Sequence, residues 1–162
     1  MAKLTDILAY LCYRVQKEKG DLTRGRLTKL VFLADWRYAL SHEDTLTNVI
    51  WSFNENGPDT KDVLFAARAS GDFDITEKTM YGKPAKIVRL KDGVDPTGRL
   101  GNDERSVLDD VINDVSPMSW TEFSAKVYAS YPVATRDRFA LLPLKEIAVE
   151  YHQRHRPQTT TA

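Results

Sequence analysis

The chain has 162 residues, in which 23 Lys and Arg face 23 Asp and Glu, so its formal net charge is zero. That balance argues against a generic nucleic-acid coat, which carries a basic excess to meet phosphates. A hydrophobic share of 42% and a charged share of 28% exclude a wholly disordered chain, and the length suits one domain around one core. Cys12 is the only cysteine, so no internal disulfide can form. Its neighbours Leu8, Leu11 and Val15 mark it as a small core residue. The N-terminus carries Asp6 early and no long apolar run, unlike a secretory signal. No stretch approaches the roughly 18 apolar residues that a membrane span needs. The expectation is a cytoplasmic protein with no membrane contact.

In chain order, Leu4, Ile7, Leu8, Leu11 and Val15 recur at steps of three and four, which predicts a helix over Lys3–Lys17 with Gly20 after its end. A second helix is predicted over Thr23–Ser41. Its centre, Leu30 to Ala34, is apolar on most sides, which places it in the middle of the fold. Leu46–Phe53 is β-branched and aromatic and reads as a short strand or extended segment. Asn54 to Pro58 breaks it. Pro58 reads as the first turn of a helix running from Asp59 to Ser70, with Asp59 and Asp62 near its positive end. A hairpin follows, with Phe73–Met80 and Ala85–Leu90 as arms and Tyr81 to Pro84 as the turn. Lys91–Gly101 is a loop. Val107, Leu108, Val111, Ile112 and Val115 give an amphipathic helix. Ser119 and Glu122 form a capping box opening a helix that ends near Tyr131 and Pro132. A last helix starts about Pro143, with Leu144, Ile147, Ala148 and Tyr151 inward. Together these predict a mainly helical single α+β domain with a small antiparallel hairpin or sheet over residues 1–156, and a flexible tail at 157–162.

Local motifs for chemistry are missing. His152 and His155 stand three apart, but no further ligand lies nearby, so a metal site is not expected. There is no Gly-x-Ser-x-Gly elbow, no Cys/His signature and no phosphate-cradling glycine loop, so no enzyme and no cofactor are expected. Asp109 and Asp110 are adjacent and point to different sides of their helix. Three helices followed by a hairpin is also the order of a winged helix. The helix that would enter the groove carries Asp59, Lys61, Asp62 and Arg68, which cancel and suit phosphates poorly. Lys78, Lys83, Lys86, Arg89 and Lys91 on the hairpin fit edge-strand protection better than a wing.

The densest segment lies between Lys29 and Val63. A Lys29-Leu30-Val31-Phe32-Leu33-Ala34-Asp35 helix is followed by Leu46-Thr47, then by Trp51-Ser52-Phe53 running into Gly57-Pro58. This ordered set resembles the Panacea domain, the SocA-like antitoxin family of bacteria and phages. Leu108-Asp109-Asp110-Val111 and Ser119-x-x-Glu122-Phe123 extend the resemblance, which covers about Leu4 to Tyr151. It implies a non-enzymatic antitoxin that neutralises a cognate protein toxin, encoded nearby, by direct contact. It also implies, for some members, an adaptor role toward a protease or chaperone. Where the family pattern has an aromatic after Gly-Pro, this chain has Asp59, which would alter partner choice if that position touches the toxin.

The candidate toxin-binding residues are Asp35, Tyr38, Trp51, Phe53, Asn54, Asn56, Gly57 and Pro58. Each has a second reading. Trp51 and Phe53 alternate, so one strand face holds both rings, either anchoring a partner or covering the second helix. Asp35, one turn from Tyr38, pairs with a basic toxin group or bonds locally to backbone, Lys29 or Arg37. Gly57-Pro58 starts a helix or presents Asn54, Glu55 and Asn56. Homo-oligomerisation is left open, and DNA binding is disfavoured.

Overall fold

The structure is a computed structural model and describes residues 2–156. The expected tail at 157–162 lies outside them. α1 spans Leu4–Lys19, with Ile7, Leu8, Leu11 and Cys12 buried, and Gly20 follows at φ 82°. β1 is the short Leu22–Thr23 strand. Thr23 then caps α2 (Arg24–His42) by accepting from the Arg26 N–H. Eleven residues of α2 are buried, among them the whole run Leu27 to Trp36. It packs against α1 and, further along the chain, α4 (Asn102–Val115) and α7 (Leu144–Arg154). A helix apolar all round has to be enclosed in this way. Each large side chain sealed there contributes roughly 1.5–3 kcal/mol by burial.

β2 (Trp51–Asn54) and β3 (Gly57–Asp59) form a tight antiparallel hairpin, and α3 (Asp62–Ala69) follows. This corrects the reading of Pro58 as a helix start. Pro58 is buried and pairs with Phe53 across the ladder. The strand is an edge, where the missing N–H is tolerated. Asp59 likewise belongs to the strand and reaches Arg24 on α2 at 3.8 Å. Only Asp62 sits in the first turn of α3. Residues 46–50 carry no strand pairing, so the extended segment is shorter than its composition suggests.

β4 (Phe73–Met80) and β5 (Lys83–Leu90) pair over their full length about a Tyr81-Gly82 turn. Both turn residues have positive φ, 52° and 76°, the geometry that matches the twist of a two-residue hairpin. β1 joins the outer side of β5, giving the order β1-β5-β4. The body ends with α4, with α5 (Trp120–Ala129), whose Ser119–Glu122 capping box forms as expected, with a short α6 (Tyr131–Ala134), and with β6 (Leu141–Leu142) leading into α7. β6 pairs with β2, so a second sheet has the order β3-β2-β6. The architecture is α+β: helices around one core, with two three-stranded antiparallel sheets.

Burial pushes the Cys12 thiol up to about 12, in keeping with its place in the core. Asp109 accepts from Tyr10 and Arg14 while Asp110 faces water. No helix among the described residues is long and apolar enough to cross a membrane.

Candidate functional site

The motif residues converge on one buried carboxylate. Asp35 is 0% exposed, on the side of α2 that meets residues 45–51. Its Oδ1 accepts from the Thr47 backbone N–H at 3.0 Å. Its Oδ2 accepts from the Thr47 hydroxyl at 2.5 Å and from the Trp51 indole N–H at 2.9 Å. The Thr47 hydroxyl oxygen also accepts from the Val49 N–H, and the Thr45 hydroxyl donates to the Thr47 carbonyl. Three separated motif pieces are thus tied into a polar knot inside the core. Burial pushes the Asp35 carboxyl up to about 6, outweighing the hydrogen bonds that favour its charged form. The partners are neither Lys29 nor Arg37. Thr47 holds two of the three bonds to Asp35; it is a site residue absent from the sequence candidates, although Leu46-Thr47 belongs to the motif.

This knot fixes the start of β2. Trp51 is 1% exposed and meets Phe32 edge-on, with centroids 5.4 Å apart. Phe53, on the same strand face, meets Tyr128 edge-on and lies under the Arg138 guanidinium. Both rings therefore cover the interior. The turn they hold up is the exposed part. Asn56 is exposed, Asn54 half-buried, and Gly57 takes φ 101°, a conformation that L side chains resist. A Cβ on Gly57 would sit 3.6 Å from the Tyr128 ring, an ordinary contact, so the backbone angle rather than crowding calls for glycine. Lys29, the first motif residue, is nearly buried, and burial lowers its pKa against the pull of Asp59.

Asn54, Asn56, Gly57 and Pro58 come together in one turn, with Trp51 and Phe53 beneath it and Asp35 behind them. Tyr38 does not join them. It stacks on His42 at 3.9 Å and lines a cleft with Asp44, Asp103 and Glu104. Burial and these acids raise its hydroxyl pKa.

A further feature of the same sheet has no counterpart in the sequence reading. Ser52 pairs with both Asp59 and Leu141, so Leu141 shares the outer face with Ser52 and, two residues earlier, Ile50. Ile50 is 73% and Leu141 66% exposed, and Phe139, just before β6, is 68% exposed. Leu141-Leu142 is the sequence signal for this strand, exposed then buried, and two residues are too few to stand out.

No group of three or more potential metal ligands occurs among the described residues. His152 and His155 are exposed, and one ring nitrogen of each meets a backbone carbonyl. No curated protein and no solved structure matches the chain. A family model described as Antitoxin SocA-like, Panacea domain, matches residues 27–132, well over half the chain and including Asp35, Thr47, Trp51 and the Gly57-Pro58 turn. The chain therefore belongs to the SocA-like antitoxin family, the Panacea domain.

Proposed function

We propose that this protein is an antitoxin that binds a cognate protein toxin encoded nearby and blocks it by occupying its active or target-binding face. Membership of the antitoxin family carries this reading. The β2–β3 turn, Asn54 to Asn56, is assigned to the binding surface because it combines accessible amides with a backbone held rigidly from below, the buried Gly57 and Pro58 serving as its support. Rigid loops lose little entropy on binding. Asp35, Trp51 and Phe53 serve it from the interior, setting the position of the turn rather than touching the toxin. Tyr38 is assigned to a second, separate contact at the acidic cleft. The mechanism is steric and calls for no cofactor, and its setting is the cytoplasm. Co-expression with the adjacent gene product tests it: growth arrest by the neighbour alone should be relieved by this chain. A neighbour that is harmless, or that stays toxic in its presence, refutes the reading. Measuring toxin half-life separates occlusion, which leaves it unchanged, from delivery to a protease, which shortens it.

One observation favours a second reading, a winged-helix-like DNA binder. The order β1-β5-β4, with β1 between α1 and α2, suits a wing behind a short helix. Against it, α3 exposes Asp62 and Phe65 beside Lys61 and Arg68, a poor set for phosphates and base edges. Salt-dependent mobility shifts on upstream DNA would support it, and their absence at low salt would remove it.

A further inference from the structure

The β1-β5-β4 sheet is closed along one edge and open along the other. In a two-residue hairpin, the pair flanking the turn exchanges both backbone bonds. Met80, Lys78, Thr76 and Asp74 therefore bond inward to β5, while Phe73, Ile75, Glu77 and Thr79 turn their N–H and C=O outward. The Lys91 N–H donating to the Asp72 carbonyl at 2.8 Å keeps the same phase. On β5 the outward residues are Pro84, Lys86, Val88 and Leu90. Leu90 exchanges bonds with the Gln16 amide, Val88 pairs with Leu22 of β1, and Pro84 has no N–H to offer. That edge is sealed by the body or blunted by proline. The β4 edge has neither device. The backbone groups of Ile75, Glu77 and Thr79 meet no protein partner on that side among the described residues, and the strand runs for eight residues.

The side chains along that edge select its occupant. An edge strand that pairs antiparallel with its own copy does so about a twofold axis perpendicular to the sheet, which sets residues of like parity opposite one another. An axis at Glu77 or at Lys78 puts like charges face to face, which is destabilising. An axis at Ile75 sends Lys78 to Asp72, already held by Arg99 at 2.7 Å, and one at Thr79 overlaps only the hairpin ends. An axis at Thr76 sets Lys78 opposite Asp74 of the second copy, twice by symmetry, with Thr76 against Thr76 and Ile75 exchanging bonds with Glu77. Asp74 and Lys78 are exposed, and both are unengaged among the described residues. Arg89, which faces Asp74 across the ladder, is taken by Asp21 and Asp92, and Lys78 faces Ala85. Glu77 is held by Lys86 at 3.7 Å. The same register brings Tyr81, 99% exposed at the hairpin tip, level with Gly71 of the second copy, where a Cβ would meet open space. Lys78 thus repels strands that bring a base to it and accepts one that brings an acid.

We propose that the free edge of β4 pairs antiparallel with β4 of a second copy about an axis at Thr76, joining two three-stranded sheets into one and held in register by the Asp74–Lys78 pairs. The proposal is independent of the antitoxin reading and uses a different sheet from the β2–β3 turn. A strand-edge contact is smaller than the roughly 1,600 Å² of a standard interface, so self-association is weak, with a dissociation constant between about 1 μM and 1 mM.

Sedimentation equilibrium of the full chain up to about 1 mM tests it. The wild type should pass from monomer to dimer across the series. Glu77→Pro removes an outward N–H without touching the bonds to β5 and should leave the chain monomeric. Asp74→Lys and Lys78→Asp each set like charges opposite one another and should each weaken self-association by about tenfold or more. Mixed one to one, these two variants restore both pairs and should associate with each other about as tightly as the wild type with itself. Both change only exposed side chains, so they keep the test intact if Glu77→Pro disturbs β4, and circular dichroism checks that each variant is folded. A wild type that stays monomeric throughout, wild-type self-association in both charge variants, or a mixture that stays apart would each overturn the proposal. A monomeric wild type whose binding to the neighbouring gene product is lost in Glu77→Pro would give the edge to a strand of the toxin and overturn it too.

Discussion

The two sheets have the same number of strands and opposite construction. In β1-β5-β4, the long β4–β5 ladder joins neighbours in sequence, and its outer half stands in water on both faces, with residues 76–84 all exposed. In β3-β2-β6, every strand is short, β6 arrives from a distant part of the chain, and Trp51, Phe53, Pro58 and Leu142 are buried. Each sheet adds one two-residue strand from far along the chain, β1 to β5 and β6 to β2, but the β4–β5 ladder needs only its turn to form, whereas the short strands of the second sheet have to be held by their interior. The Asp35 knot does that holding. The contrast separates a sheet that projects from the body from one that is part of the core and presents a shaped outer face.

That contrast can be broken by substitution. The largest effect is expected for Trp51→Ala, about 3–5 kcal/mol lost in urea unfolding, because a fully buried ring and a carboxylate partner go together. Asp35→Asn should cost about 1–3 kcal/mol. Either orientation of the amide sets an N–H against the Thr47 N–H or the indole N–H, leaving a buried donor unpaired. The same pair of proteins sharpens the point by pH. A carboxyl whose folded pKa, about 6, lies above its ordinary value of 3.8 binds its proton more tightly when folded. Its favourable share is therefore full below pH 4 and is lost as pH rises toward 6. The stability gap between wild type and Asp35→Asn should widen between pH 6 and 4, by at most about 1.4 kcal/mol per pH unit, and flatten above. Gly57→Ala should cost about 1–2 kcal/mol through its positive φ. Tyr81→Ser on the projecting arm should stay within about 0.5 kcal/mol, and a larger loss there would erase the distinction between the sheets.

The same division governs what the sequence made legible. α1, α2, the β4–β5 hairpin and the Ser119 capping box follow from spacing and turn chemistry between neighbouring residues, and they form near their expected positions. β1 and β6 have two residues each and exist only through partners far along the chain, so no local pattern announces them. Pro58 misleads for the same reason. Its fixed φ suits a helix start or an edge strand equally, and Phe53 opposite it decides. At the site, the ordered motif from Lys29 to Pro58 stands in the sequence, and Asp35 and Trp51 each have two readings there. Their mutual hydrogen bond selects the interior one.

The Asp35–Trp51 bond also makes a clock. The Trp51 indole proton is sealed from water, whereas Trp120 is 47% exposed. In deuterated solvent, the Trp51 indole signal can exchange only when the segment carrying it lifts from α2. Its decay would therefore report the opening of the core beneath the β2–β3 turn, independent of any partner, and comparison with the global unfolding free energy would show whether that opening is local or the unfolding of the whole domain.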